Sequence, residues 1–155
     1  MLHVVLYQPE IPQNTGNIGR TCVALGAKLW LIEPLGFRLD ESRLRRAGLD
    51  YWPHLDWCQV PDWETLRGQL SGRTWWLLTK LADREYTQAA FADEDVLVFG
   101  GESRGLPPSL HQQHPESRLR IPMSAAVRSL NLATSVGIVA YEARRQIELA
   151  GGGSN

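Results

Sequence analysis

Short runs of apolar residues, separated by longer connecting segments, constrain the fold of this chain most. They lie at residues 4–7, 29–32, 75–79, 96–99 and 119–121, with a further extended segment at residues 54–60. Strands that are apolar along most of their length are typical of parallel sheets that are covered by helices on both faces. Since several connections are long enough for a helix, the pattern predicts an α/β fold with a mainly parallel sheet flanked by helices.

Capping residues predict helices between several of these strands. Asn14 is a candidate N-cap for a helix that runs to about residue 25 and ends at Gly26, because an Asn side chain accepts a hydrogen bond from the free N–H groups of a first turn. In the same way Asp62 predicts a helix that continues to about residue 70 and ends before Gly72.

Three weaker signals complete the helix prediction. Asp40 predicts a short helix over residues 41–47. The Pro107-Pro108 pair predicts that no helix starts directly after the glycines before it. Apolar and small residues recur at helical spacing from residue 131 to about residue 149, which predicts a long last helix.

Composition limits the class of protein. At 155 residues and 43% hydrophobic content, we expect one domain over residues 1–150 and a flexible tail over residues 151–155. No apolar run approaches the roughly 20 residues that span a membrane, and the N-terminus lacks a signal-peptide pattern. Cys22 and Cys58 are too few for a disulfide framework or a zinc site. We therefore expect a cytoplasmic protein without a metal, and the net charge of -1 means that any nucleic-acid site must be a local basic patch.

Three short segments near the C-terminus mark the candidate functional site: Phe99-Gly-Gly-Glu-Ser-Arg-Gly-Leu-Pro107, Ile121-Pro-Met123 and Ser129-Leu-Asn131. The first two follow predicted strands and the third opens the last helix. All three should meet at the carboxyl edge of the sheet, where parallel sheets bind ligands. The first segment lacks the Gly-Lys-Ser/Thr ending of a P-loop and the spacing of a dinucleotide turn. It is either a tight Gly-rich connection or part of a pocket for an adenosine-like group.

The chain resembles the SPOUT family of S-adenosylmethionine-dependent RNA methyltransferases. The first family motif is similar to Asn14-Thr-Gly-Asn-Ile-Gly-Arg20, the second to residues 99–107, and the third to Ile121-Pro-Met123 followed by Ser129-Leu-Asn-Leu-Ala-Thr-Ser135. Two further runs resemble the minimal single-domain enzymes that methylate the ribose 2′-oxygen at the wobble position of certain tRNAs. These runs are Leu6-Tyr-Gln-Pro-Glu-Ile-Pro12 and Arg43-Leu-Arg-Arg-Ala-Gly-Leu-Asp-Tyr51.

The resemblance covers nearly the whole chain and implies a fold, an activity and partners. The implied fold is α/β with a C-terminal trefoil knot, and the implied assembly is a homodimer with cofactor sites near the subunit interface. The implied reaction transfers a methyl group from S-adenosyl-L-methionine to the wobble nucleotide of tRNA, a cytidine or modified uridine, in leucine isoacceptors. S-adenosyl-L-homocysteine is the product. Ribosomal RNA or another tRNA position is an alternative substrate, and a non-catalytic RNA- or nucleotide-binding module is an alternative of another class.

The family places the adenosine part of the cofactor among the three loops. Carried over by position, the cofactor-binding residues are Leu78, Thr79, Gly100, Gly101, Glu102, Gly105, Ile121, Met123, Ser129, Leu130 and Asn131. Adenine is planar and weakly polar, so apolar walls and backbone hydrogen bonds at its edge would suit it. Leu78, Ile121 and Leu130 are equally compatible with ordinary core packing.

The resemblance also assigns catalytic positions, namely Arg20, Asn14, Glu102, Ser129 and Asn131. A guanidinium group stays protonated, so Arg20 suits alkoxide stabilisation or phosphate anchoring better than proton removal. Spacing alone instead favours a solvent-facing helix arginine that pairs with a carboxylate. Glu102 could hold Arg20 or a loop N–H group, and Ser129 and Asn131 could bind loop backbone, bind the ribose or cap the last helix.

Basic residues form the expected RNA surface, and they are Arg20, Arg43, Arg45, Arg46, Lys80, Arg104 and Arg128. Arginine offers charge and planar stacking to RNA, whereas the alternative for the 43–46 cluster is a solvated helix face paired with neighbouring carboxylates. Trp52 is the best candidate among the six tryptophans for base stacking. We expect His111 and His114 at the surface, without the further ligands that a metal site needs.

Overall fold

The computed structural model describes residues 1–40, 42, 46 and 50–152. Most of the predicted helix over residues 41–47 lies outside these residues, as do Arg43 and Arg45 of the expected RNA surface. The same holds for the last three residues of the predicted tail.

A sheet of six parallel strands forms the centre of the molecule. The strands are β1 (His3–Tyr7), β2 (Lys28–Ile32), β3 (Trp57–Val60), β4 (Trp75–Leu78), β5 (Val96–Gly100) and β6 (Arg118–Leu119). Their order across the sheet is β3-β2-β1-β5-β4-β6, and each neighbouring pair runs parallel. The prediction of an α/β fold with a parallel sheet is confirmed.

Helices cover both faces of this sheet. They are α1 (Pro12–Leu25), α2 (Trp63–Gln69), α3 (Pro108–Gln113) and α4 (Leu132–Gly151), with 3-10 turns at Trp52–His54, Tyr86–Gln88 and Pro115–Ser117. On one face Val4 packs in a core with Ile18 of α1 and Val136 of α4. On the other face Val5 packs with Leu66 of α2 and Leu110 of α3. Consecutive strand residues are therefore buried on opposite faces, which explains why the strands are apolar throughout.

The connections leave the two central strands toward opposite faces. β1 leads into α1, which packs on the face that also carries α4. The neighbouring strand β5 leads into α3, which packs on the other face. A crevice therefore opens between the carboxyl ends of β1 and β5, which is the topological switch point at which α/β sheets bind ligands.

One predicted helix start is wrong, and another helix begins where no start was predicted; a proline explains both. α1 begins at Pro12 with Ile11 as its N-cap, so Asn14 lies inside the first turn and is buried. α3 begins at Pro108 with Pro107 as its N-cap. A proline at the first helical position has a suitable φ and gives up an N–H group that needs no helical partner, so the proline pair starts α3 where we expected it to delay one.

Three predicted capping residues are confirmed, one at the C-terminus of a helix and two at helix N-termini. Gly26 ends α1 in a left-handed conformation with φ of 65°. The Asp62 side chain caps α2 by accepting a hydrogen bond from the N–H of Thr65 at 2.7 Å. Asn131 caps α4 by accepting from the N–H of Thr134 at 3.2 Å, so of the two residues considered for this role Asn131 fills it.

Some boundaries differ from the prediction. β6 ends at Leu119, and Ile121 lies beyond it. His54 belongs to a 3-10 turn, so the extended segment starts only at Trp57. α4 continues to Gly151, where the sequence predicts the tail to begin. In each case a local pattern identified the element but not its exact boundary.

Replacing Leu66 by Ala tests the packing of the face that carries α2. Leu66 is fully buried, and we expect Leu66→Ala to lower the free energy of unfolding by about 2–5 kcal/mol because a cavity replaces the side chain. Urea unfolding measures this change. The control is Leu149→Ala on the exposed end of α4, which should stay within about 0.5 kcal/mol of the unmodified protein. Equal effects of the two substitutions would contradict the packing described for α2.

Candidate functional site

A cavity of about 630 Å³ lies at the carboxyl edge of the sheet. Its walls come from the start of α1, the end of β4, the β5–α3 connection, the turn after β6 and the segment that leads into α4. All eleven predicted cofactor-binding residues line it: Leu78, Thr79, Gly100, Gly101, Glu102, Gly105, Ile121, Met123, Ser129, Leu130 and Asn131. Its volume is that of a typical small-molecule site.

The β5–α3 loop, residues 101–107, is a tight turn that also forms a wall of this cavity. The N–H of Gly105 donates to the carbonyl of Gly101 at 2.9 Å, and Gly105 has φ of 63°. A Cβ on Gly100 would lie 2.2 Å from the carbonyl carbon of Gly105. The two alternatives for this segment are therefore compatible, because the tight connection itself presents backbone to the cavity.

The Glu102 carboxylate binds the start of α1. It accepts hydrogen bonds from the N–H of Glu10 at 2.7 Å, from the N–H of Ile11 at 3.0 Å and from the side-chain amide of Asn14 at 3.3 Å. The N-cap residue of α1 provides no side-chain hydrogen bond of its own. Glu102 thus supplies an acceptor and a negative charge to a helix N-terminus that would otherwise lack a side-chain cap, which is one of the two roles considered for it.

Asn14 connects Glu102 to the last helix. Its Oδ1 accepts a hydrogen bond from Nδ2 of Asn131 at 3.0 Å, while its Nδ2 donates to Glu102. Because Asn131 also caps α4, the three side chains form a continuous network from the β5–α3 loop through α1 to α4. The structure therefore brings these three predicted catalytic residues together, with the exposed Ser129 in the same cavity.

Arg20 lies apart from this network. It is exposed on α1, does not line the cavity of its own chain, and holds its guanidinium carbon 4.5 Å from the centre of the Tyr51 ring. Asn14 is buried whereas Arg20 is exposed, so the two residues lie on different sides of α1. A single chain thus places four of the five predicted catalytic residues at the cavity.

Three of the predicted RNA-binding residues lie at the cavity rim. Lys80, Arg104 and Arg128 are exposed and line its opening, and Arg46 is exposed elsewhere. Trp52, in contrast, is half-buried with its ring 5.2 Å from that of Trp57, so it contributes to packing.

The prediction of a surface position for both histidines is wrong. His111 is half-buried and lines the cavity, and its Nδ1 is buried without a hydrogen-bond partner among the described residues. His114 packs against Trp63 with ring centres 6.2 Å apart. Burial lowers the pKa of both imidazoles. His111 lies on α3 and His114 at its end, and because the sequence pattern predicted no helix at residues 108–113, it gave no sign of which side these residues face.

Other reactive groups do not form a second centre in the part of the chain that the structure describes. Within these residues no group of three or more His, Cys, Asp or Glu side chains is arranged to hold a metal ion. Cys22 is buried, which raises the pKa of its thiol to about 12 and disfavours the reactive thiolate. No described helix is both long and apolar enough to cross a bilayer.

Family comparison gives this site a context. The family described as the SpoU rRNA methylase family matches residues 1–141. The chain belongs to this SpoU methylase family.

Two of the proteins compared with this chain are similar over nearly their full length, and a third over about half of its length. The tRNA (cytidine(34)-2'-O)-methyltransferase of Methylovorus glucosotrophus (strain SIP3-4) is 46% identical over 152 residues, which cover 97% of this chain and 99% of that protein. A solved structure described as giving insight into 2-OH methylation of C/U34 on tRNA is 49% identical and has a TM-score of 0.91, with 97% of each chain covered. The AdoMet-bound rRNA methyltransferase from Sinorhizobium meliloti is 27% identical with a TM-score of 0.83, and 93% of this chain matches 56% of that one.

Replacing Asn14 by Asp tests the network around Glu102. The introduced carboxyl would lie about where Nδ2 now stands, 3.3 Å from a Glu102 oxygen, and repulsion would raise its pKa in the folded state. The folded variant then holds its proton more tightly than the unfolded chain, so the destabilisation is greatest at high pH and decreases as pH falls through the raised pKa.

Urea unfolding at pH 5 and pH 8 measures this difference. We expect Asn14→Asp to lose at least about 1 kcal/mol more stability, relative to the unmodified protein, at the higher pH. The control Asn14→Ala removes the same hydrogen bonds without adding a charge and should lose a similar amount at both pH values. A pH-independent loss in Asn14→Asp would contradict the proximity of the two side chains.

Proposed function

We propose that this protein is a tRNA 2′-O-methyltransferase that transfers a methyl group from S-adenosyl-L-methionine to the ribose of the wobble nucleotide. The target is nucleotide 34, the position in the name of the 46% identical relative, and it is a cytidine or modified uridine, with leucine isoacceptors as substrates. One observation carries the proposal: the three motif loops line one cavity at the sheet's switch point, where the Glu102–Asn14–Asn131 network joins the first and the third of them through α1.

The cavity residues fit S-adenosyl-L-methionine. Leu78, Ile121 and Leu130 offer apolar walls for adenine, and the adjoining loops present backbone groups that can bind its polar edge. A Cβ on Gly105 would meet no atom within 4 Å, so the backbone there is open to a ligand. The S. meliloti neighbour binds AdoMet, which supports the same cofactor here and S-adenosyl-L-homocysteine as the product.

The protein's own groups must align and activate the ribose hydroxyl. When bound, S-adenosyl-L-methionine supplies a methyl group that is already electrophilic because it is attached to a sulfonium. Glu102 accepts three N–H donors and the amides of Asn14 and Asn131 bond each other, so these groups position the site. Ser129 is exposed in the cavity and is free to orient the ribose. Such positioning can supply on the order of 7–11 kcal/mol of a barrier.

We assign to Arg20 the stabilisation of the alkoxide or the anchoring of the adjacent phosphate. Since Arg20 lies outside the cavity of its own chain, we propose a homodimer in which it acts at the cavity of the other subunit. Three exposed apolar residues support such an interface: Ile11 and Leu81 line the cavity opening, and Val127 precedes the rim residue Arg128. A contact with a partner around this opening would cover such exposed apolar side chains.

We also propose the trefoil knot. The segment after β6 lies against the β4–β5 connection: the N–H of Arg120 donates to the carbonyl of Arg84 at 2.8 Å, and its carbonyl accepts from the N–H of Tyr86 at 2.9 Å. The chain then returns to pack α4 against α1 on one face of the sheet. This path supports threading of the C-terminal segment through the loop that residues 79–95 form, and a crystallographic backbone trace would decide it.

Ribosomal RNA is an alternative substrate. One observation favours it, namely that the matching family is described as rRNA methylases. Incubation with labelled S-adenosyl-L-methionine and separate pools of tRNA and ribosomal RNA distinguishes the two. We expect label in tRNA, at the 2′-oxygen of nucleotide 34. Label in ribosomal RNA or at another tRNA position would replace the proposed substrate, and cofactor binding without any transfer would favour a non-catalytic module.

Removal of the Arg20 side chain tests its role in the chemistry. We expect Arg20→Ala to lower kcat by at least about a hundredfold, the value typical of losing one donor to a developing oxyanion, and to leave the Kd for S-adenosyl-L-methionine within severalfold. Single-turnover kinetics and calorimetry measure the two quantities. Arg20→Lys keeps a charge without the planar guanidinium and serves as control. Near-normal turnover in Arg20→Ala would remove it from the chemistry.

The rim arginine Arg128 should contact the RNA backbone. We expect Arg128→Gln to weaken tRNA binding and to reduce the slope of log Kd against log salt by about one. The control is Arg145→Gln, since Arg145 is exposed on α4 and already pairs with Glu142 at 2.8 Å. Titrations over a range of salt concentrations measure both slopes, and an unchanged slope for Arg128→Gln would place this residue outside the RNA contact.

A further inference from the structure

Two loops at the edge of the site are joined by two carboxylates, each of which accepts hydrogen bonds from the other loop. Glu102 of the β5–α3 loop accepts from the N–H groups of Glu10 and Ile11. In return, the Glu10 side chain accepts from the N–H of Ser103 at 3.1 Å, and the Ser103 Oγ lies 2.7 Å from both of its carboxylate oxygens. We call these four residues the carboxylate clasp.

Glu10 lies between two glycines, Gly101 and Gly36, at which the neighbouring backbone leaves no room for a side chain. A Cβ on Gly101 would lie 2.7 Å from the Gln8 carbonyl oxygen and 3.1 Å from a Glu10 carboxylate oxygen. On the other side of Glu10, a Cβ on Gly36 would lie 2.8 Å from the Glu10 Cα, and the N–H of Gly36 donates to the Pro9 carbonyl at 2.9 Å. The loop over residues 8–11 is therefore fixed from both sides and offers a rigid support.

Glu10 is a charged acceptor in this arrangement. Its pKa is lowered from the usual value, mainly because the Ser103 hydroxyl donates to the carboxylate, with smaller contributions from the Ser103 N–H and from nearby Arg104. A carboxylate can accept from the N–H and the hydroxyl of Ser103 together, whereas a neutral amide in its place would lose the charge and one acceptor oxygen.

We propose that Glu10 is a positioning residue that holds the β5–α3 loop in the conformation required for cofactor binding. Glu10 does not line the cavity itself, but its partner Ser103 and the flanking Glu102 and Arg104 do. It acts by fixing the backbone between Gly101 and Gly105, the part of the wall that carries the turn. The inference rests on the proposed function, because it assigns S-adenosyl-L-methionine as the ligand of this loop.

The test uses Glu10→Gln, Ser103→Ala and the double variant of the full chain. Glu116→Gln is the matched control, because Glu116 is an exposed carboxylate outside the clasp. Calorimetry gives the Kd for S-adenosyl-L-methionine, turnover at saturating cofactor gives kcat, and NMR-detected hydrogen exchange without ligand reports the amides of residues 101–105 and of the strands.

We expect each single variant to raise the cofactor Kd by about three- to tenfold, the range set by one charge-assisted hydrogen bond at a surface. For Glu10→Gln, whose side chain lies outside the cavity, kcat at saturation should stay within about twofold of the unmodified protein. The double variant should bind the cofactor no more weakly than the weaker-binding single variant, because the Ser103 hydroxyl acts through the Glu10 carboxylate. Amide exchange should accelerate in the loop and stay unchanged in β1 and β5, with Glu116→Gln unchanged throughout.

Three results would overturn the inference while leaving the proposed function intact. These are a normal cofactor Kd in Glu10→Gln, additive effects in the double variant, and faster exchange across the whole sheet, which would show a general loss of stability. Failure of the unmodified protein to bind S-adenosyl-L-methionine would instead overturn the proposed function, and this inference with it.

Discussion

The hydrogen bonds that Glu102 accepts from the start of α1 are the interaction on which the candidate site depends. They join residues that lie about ninety positions apart in the chain, and they let a loop from β5 cap a helix that begins after β1. Without this carboxylate, α1 would begin with unpaired N–H groups, and Asn14 would lose the partner that fixes its amide. Asn131 depends on Asn14 in turn, so one carboxylate sets the geometry of three segments.

The topology of the sheet makes this interaction possible. β1 and β5 are neighbours in register, with Tyr7 opposite Gly100, so the loops that follow them emerge side by side. Because α1 and α3 then pack on opposite faces, the loops diverge and leave a cavity between them. Within the carboxylate clasp, Glu10 bridges these same two loops in the reverse direction by accepting from Ser103, so that each loop supplies an acceptor for backbone donors of the other.

The sequence predicted what depends on local chemistry. Apolar runs located the strands, and Gly26, Asp62 and Asn131 located helix ends, because each effect acts within a few residues. The strand order could not be predicted, since it arises from contacts between distant segments. For the same reason nothing in the sequence paired Glu10 with Ser103 or turned His111 toward the cavity. Asn14 was recognised by its motif but given a capping role, because the sequence does not show that Glu102 serves α1 from the other loop.

The occupied hydrogen bonds also limit how the proton of the ribose hydroxyl can leave. Glu102 already accepts from three N–H donors, so protonating it would weaken the interactions that shape the site. The amides of Asn14 and Asn131 bond each other, and an amide is not a base. The network is thus better suited to hold a geometry than to exchange a proton. A charged group that lowers the cost of forming an alkoxide must come from outside this network. The exposed Arg20, held over the Tyr51 ring, is the cation to which we assign this role in the proposed dimer.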